Sequence, residues 1–286
     1  MYPIDFEEFL WANEEKRLCE EIRLCYVNIS PMPEALHQKA IDLYRLYLII
    51  GGMPASVNEY RKTHSLLTVP DIQNNITNDY LAGMVKYTSN TESVKIRACY
   101  QSVPAQLAKE NTKFQYKVVQ RGGTATIFGP SIEWLHYAGI VLKCQRIEHA
   151  TEPIAVYSDL SSFKLYMGDI GLLVMKSGIS QHTVLSGEKN IFMGAVAENY
   201  IAQTLTTNGY YLYYWTNGNT AELDFVLQKG PDIIGIEVKK EQHIRSKSLG
   251  IFVNKYNPSY VIRFSNLNFG FANNIKALPL YSAFCL

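Results

Sequence analysis

Three strand-like runs, Tyr210 to Trp215, Ala221 to Leu227 and Ile233 to Val238, follow one another with only turn residues between them. The separators Asn217-Gly218-Asn219 and Lys229-Gly230-Pro231 are strong hairpin signals, because they combine left-handed backbone tolerance with a helix-breaking residue. Helical patterns flank the triplet. Gly194 to Thr206 carries Val196, Tyr200, Ile201 and Leu205 on one side, and Ser248 to Tyr256 precedes a further strand, Ser259 to Phe264. An α-β-β-β-α-β order cannot bury its faces as a helical bundle or a sandwich, so the expected class is α/β, a mixed sheet with flanking helices. Upstream, Phe163 to Met167 reads as a strand and Asp169 to Lys176 as a helix capped by Asp169.

The remaining organisation follows from charge and punctuation. The 286 residues are long enough to bury a sizeable core, and 47% hydrophobic against 19% charged residues argue for a folded, soluble chain. Its most apolar stretch, Leu43 to Ile50, is short and contains Arg45, whereas a membrane span needs about 20 apolar residues. An acidic N-terminus, Asp5 with Glu7 and Glu8, is the opposite of a signal peptide, so no membrane partner and a cytoplasmic location are expected. Five scattered cysteines without a C-x-x-C pair indicate neither a disulfide framework nor structural zinc. Three segments are expected. Residues 1–88 read helical, with eight acids and four bases up to Ala40. Residues 89–147 hold eight bases and three acids from Asn90 on; short helices, then a helix ended by Gly139 and run into the strand-like Ile140-Val141-Leu142, suggest a winged helix. Residues 148–286 carry the sheet.

Carboxylates sit where strand logic alone would not put them. Asp224 lies between Leu223 and Phe225, and Glu237-Val238-Lys239 follows Ile236. Residues two apart on a strand share a face, so Glu237 and Lys239 point the same way, and Asp224 in the neighbouring hairpin strand could join them. Two or three carboxylates beside a lysine suit Mg²⁺ and phosphodiester chemistry: oxygen ligands for a hard cation, charge on the metal to stabilise the transition state, and an amine to orient water. Glu198, in the first helix, would be a further carboxylate. The same charges also fit a solvent-facing strand with paired side chains.

At these positions the chain resembles the PD-(D/E)xK nuclease superfamily, and more narrowly the C-terminal domain of unknown function carried by prokaryotic AAA-family ATPases. The resemblance rests on Gly194-x-x-x-Glu198, Tyr214-Trp215, Glu222-Leu223-Asp224-Phe225-Val226, Ile236-Glu237-Val238-Lys239 and Ser248-Leu249 before Phe252. It extends to Tyr2-Pro3-Ile4-Asp5 and Gly51-Gly52-Met53-Pro54, which resemble the stretch after the ATPase core. Ser102-Val103-Pro104-Ala105-Gln106-Leu107 with Trp134-Leu135 and Ala138-Gly139 resembles a winged-helix portion, and Lys164-Leu165-Tyr166-x-x-Asp169-x-Gly171-Leu172-Leu173 the start of the nuclease-like fold. It implies a helical piece, a winged helix and a restriction-endonuclease-like domain, with Asp224 and Glu237 as Mg²⁺ ligands, Lys239 positioning the nucleophile and Glu198 assisting. Leu223 stands where many nucleases of the superfamily have proline.

It also implies an ATPase half ahead of the first residue, the chain being a fragment or a shortened member. No G-x-x-x-x-G-K-[ST] occurs, so the chain alone is not expected to bind or hydrolyse ATP. None of the six histidines has metal-ligand spacing; His243, after Lys239, could stand near the mouth of the site. Two functions follow as expectations. One is a nucleic-acid-acting module with Mg²⁺-dependent phosphodiester hydrolysis, contacting DNA through Lys113, Lys117, Arg121 and Lys143. The other is a non-catalytic module that docks DNA or a protein while an ATPase domain supplies energy.

Overall fold

The computed structural model describes residues 2–218, 220–239 and 247–286, so His243 lies outside the described residues. Eight helices come first: α1 (Phe6–Ala12), α2 (Lys16–Asn28), α3 (Glu34–Ile50), α4 (Pro54–Thr63), α5 (Val69–Tyr87), α6 (Asn90–Leu107), α7 (Tyr116–Val119) and α8 (Ala125–Tyr137). Then follow β1 (Val141–Ile147), β2 (Ser158–Met167), α9 (Ile170–Ser177), α10 (Gln181–Ser186) and α11 (Met193–Thr207). The chain ends with β3 (Tyr213–Asn217), β4 (Ala221–Lys229), β5 (Asp232–Val238), α12 (Lys247–Tyr256), β6 (Val261–Ser265), β7 (Gly270–Ala272) and β8 (Ile275–Pro279). The expected α-β-β-β-α-β order is present as α11 to β6. Among the described residues no helix is long and apolar enough to cross a membrane.

The eight strands among the described residues form one mixed sheet in the order β2-β1-β3-β4-β5-β6-β8-β7. The hairpins β1–β2, β3–β4 and β4–β5 pair antiparallel, while β1–β3 and β5–β6 pair parallel. The parallel pair β5–β6 requires a crossover, and α12 supplies it. One face of the sheet packs on α11 through Val196, Tyr200, Ile201 and Leu205, and the other on α12 through Leu249 and Phe252.

The expected segment limit at residue 147 falls at the last residue of β1, between the two strands of the β1–β2 hairpin, both of which belong to the one sheet. The limit near 88 is likewise crossed by a continuous core. Met84, Ile96 and Leu173 share a cluster with Phe6, Tyr47 and Phe284. Polar contacts tie the same parts together: Gln203 donates to the Tyr47 hydroxyl at 3.0 Å, which donates to the Ile4 carbonyl at 2.7 Å. The Gly51-Gly52 turn is held by Asp169, whose Oδ2 accepts from the Gly52 N–H at 2.7 Å while Oδ1 caps α9 at Leu172. Burial pushes the Asp169 carboxyl up to about 6 against these backbone donors.

Candidate functional site

Asp224 owes its direction to a bulge. Tyr213 pairs with Val226 and Trp215 with Leu223, so Asp224 and Phe225 together oppose the single residue Tyr214. An extra residue resets the alternation of side chains, and both bulged residues turn to the α11 face. Phe225 packs 5.8 Å from the Tyr166 ring, and the Asp224 carboxyl feels Glu198 of α11 and Lys164 of β2. The bulge also ends the regular β4–β5 ladder, and Asp224 Oδ2 accepts the Val238 N–H at 2.7 Å.

On this face lies a side chain that the sequence reading did not single out for the site. Lys164 is 1% exposed, and its Nζ stands 2.6 Å from Glu222 Oε1 and 3.8 Å from Glu198 Oε2, over the Tyr214 ring. Tyr166, two residues along β2 on the same face, donates its hydroxyl to Glu198 Oε2 at 3.2 Å. Burial alone would discharge Lys164, but Glu198, Glu222 and Asp224 outweigh it and raise its pKa. Asp224 is pushed up to about 8, first by burial and then by Glu198, with Lys164, the Val238 N–H and Lys239 opposing.

Glu237 leaves β5 in the other direction. Ile234, Ile236 and Val238 belong to the α11-side core, so alternation turns Gly235 and Glu237 toward α12. Gly235 has Phe252 and Leu223 against it, and Glu237 stands beside its register partner Arg263, Nε to Oε2 at 3.7 Å. Glu237 is 3% exposed, and Lys239 Nζ lies 3.4 Å from its other oxygen. The structure therefore brings Asp224 and Glu198 together around Lys164, sets Glu237 with Arg263 on the opposite face, and places Lys239 beside Glu237. Among the described residues no three His, Cys, Asp or Glu side chains are grouped so as to hold a metal ion.

Of the basic candidates, Lys113, Lys117 and Arg121 are exposed around α7, although Lys113 Nζ also donates to Ser162 at 2.8 Å. Lys143 is turned inward. Its side chain is 11% exposed, ion-paired with Glu133 and stacked over the Phe163 ring at 4.8 Å.

The model of a domain of unknown function, DUF8612, matches residues 41–183, half of the chain. The chain belongs to the DUF8612 family. A second domain of unknown function, DUF4143, typically found at the C-terminus of AAA-type ATPases, matches residues 193–283. No curated protein and no solved structure matches. Lys164 and Tyr166 thus lie in the DUF8612 match, and Glu198, Glu222 and Asp224 in the DUF4143 match, so the ion cluster around the buried Lys164 joins the two regions. The signals for its missed members were a lysine inside the apolar run Phe163 to Met167 and a glutamate two residues before Asp224.

The Asp224 environment predicts a pH signature. A carboxyl whose folded pKa of about 8 exceeds its usual 3.8 contributes stability that is complete below about 4 and lost as pH rises through 8. Asp224→Asn keeps an acceptor for Val238 without the charge. Denaturant unfolding at pH 5 and pH 9 should show the Asn variant gaining on wild type by on the order of a few kcal/mol at the higher pH. An equal difference at both pH values would refute the burial of this charge.

Proposed function

We propose that this DUF8612 chain is a non-catalytic docking module of an AAA-type ATPase, built on a nuclease-like sheet whose carboxylates hold an internal cation. The observation that carries this reading is the buried Lys164 ammonium among Glu198, Glu222 and Asp224. A lysine there balances the charge that a hard divalent ion would otherwise neutralise, and its own charge repels such an ion. Asp224 and Glu237, on opposite faces of the sheet, do not fit a shared Mg²⁺, and Glu237 is matched to Arg263 and Lys239.

The middle of the chain supports docking by the same physical reasoning. We read the succession α6, extended Phe114 donating its N–H to the Phe163 carbonyl at 2.8 Å, α7, α8 and the β1–β2 hairpin as a winged helix. The helix such a fold would offer to a DNA groove is α8, which contains neither lysine nor arginine and exposes Ala125, Thr126, Ile127, Pro130 and Tyr137. Without cations on that helix, the counterion release that drives DNA binding has to come from elsewhere. Lys113, Lys117 and Arg121 around α7 are the observation that favours DNA as a second partner.

Calorimetric titration with Mg²⁺ and Mn²⁺, paired with cleavage assays on single-stranded, double-stranded and branched DNA and on RNA, tests the reading. The expected result is no saturable metal heat and no cleavage, for wild type and Asp224→Asn alike. Metal-dependent cleavage lost in Asp224→Asn would overturn it in favour of phosphodiester hydrolysis.

A further inference from the structure

Away from the buried ions, the start of β1, the residues leading into β3 and the end of α11 enclose a groove of about 500 Å³. Tyr2, His136, Tyr210 and Tyr211 line it, with Gln145 among them. Two of these rings have no packing reason to be aromatic: Tyr211 is 82% exposed and Tyr2 57% exposed. Tyr137, next to His136 on α8, is 85% exposed. Large exposed rings clustered at a concave surface are the mark of a binding site, since each leaves apolar area in water. Tyr210 is fixed from behind, its hydroxyl donating to the Leu286 carbonyl at 3.2 Å, so part of the wall is already in place.

Charge decides the class of occupant. Among the described residues, Lys143 is the one lysine or arginine lining the groove, Glu133 neutralises it, and no acidic side chain lines the groove. A polyanion would find rings to stack on and no cation to hold its phosphates, whereas a neutral extended peptide needs only rings and hydrogen-bond donors. A polyproline II segment meets both needs: its backbone carbonyls have no internal partners, and its pyrrolidine rings pack on aromatic ridges at low ordering cost. The Tyr2 and Tyr211 hydroxyls and the Gln145 amide provide donors for those carbonyls, while the Tyr210 hydroxyl is engaged by Leu286 and His136 Nδ1 faces the Val141 carbonyl.

We propose that this groove docks an uncharged, proline-rich segment of a partner protein in the polyproline II conformation. The proposal names a partner class for the docking role and rests on that role. The test is fluorescence anisotropy of a labelled ten-proline peptide with the full chain, beside a glycine-serine peptide of equal length and a single-stranded oligothymidine. Saturable binding of the proline peptide alone is expected. It should weaken roughly tenfold in Tyr211→Ala, the scale of losing one aromatic anchor, with an unchanged unfolding midpoint. Tyr211→Phe should retain most of the affinity, because the ring does most of the packing. Absence of saturable proline-peptide binding, equal binding of the glycine-serine peptide, or indifference to Tyr211→Ala would each overturn the proposal. Oligothymidine binding that Tyr211→Ala abolishes would overturn it in favour of a nucleic acid. Failure of the peptide test would leave the metal and cleavage result standing, whereas metal-dependent cleavage would remove the docking role whatever the groove binds.

Discussion

Lys164→Met is expected to lower the stability of the folded chain by about 3 kcal/mol, the lower end of the cost of breaking a buried ion pair, because Glu222 is 44% exposed and water can take over part of its charge. Methionine fills much of the same volume, so the loss reports charge more than packing. Glu222 stood 2.6 Å from the ammonium, and Glu198 and Asp224 are left facing one another without the buried cation between them. Two signatures separate this from an ordinary core defect. Loss of the ammonium removes one of the influences that lower the already raised pKa of Asp224, so its protonation favours folding further, and the deficit should shrink as pH falls from 8 toward 5. Adding Glu222→Gln to the variant should recover part of the loss, because one stranded charge is removed. Denaturant unfolding of the single and double variants at both pH values measures all of this. A loss below about 1 kcal/mol, the range of exposed ion pairs, would show that Lys164 is not the internal cation of this site.

Gly51→Ala is expected to cost about 4 kcal/mol or more, because two independent penalties coincide. Gly51 ends α3 at φ 70° and ψ −169°, a region that side chains other than glycine scarcely enter. A Cβ there would also collide with Asp169 Oδ1 and stand 2.8 Å from the Gly171 backbone nitrogen. Neither neighbour can yield freely, since Asp169 is buried and bonded to the Gly52 and Leu172 N–H groups. The variant would break the latch between the N-terminal helices and α9. Gly83→Ala, inside α5, is the control: beyond its chain neighbours and its own helix nothing lies within 4 Å of the added methyl, and alanine is the better helix former. Thermal and denaturant unfolding should find Gly83→Ala neutral or stabilised, and a Gly51→Ala protein as stable as wild type would refute the latch.

The resemblance joined Gly51-Gly52 and Asp169 as separate signatures of one family, and the structure supplies the physical link between them. Glycine at the end of α3 removes the side chain that would collide with the Asp169 carboxyl, and the carboxyl satisfies backbone donors on both sides.

Local rules carried the sequence reading as far as the elements. Apolar spacing placed α11 and α12, and turn residues separated β3, β4 and β5, because helix and strand periodicity and hairpin chemistry act within a few residues. The start of α9 was legible too, since Asp169 is its own N-cap. The edge pair β7–β8 was not, being short and held to β6 by parallel pairing to a strand already formed.

The candidate site depended on contacts that sequence spacing does not encode. Reading Asp224 and Glu237 onto one face assumed unbroken alternation, but the two-against-one bulge at Asp224 and Phe225 reset it. Lys164 looks like a surface lysine in isolation; only when β2, α11 and β4 meet do Glu198 and Glu222 come within reach. Lys143 likewise lost its surface role to Glu133 and Phe163. Secondary structure answers to neighbours along the chain, which the sequence displays. The charge state and direction of a buried side chain answer to neighbours in space, and those were decided by how the sheet closed around α11.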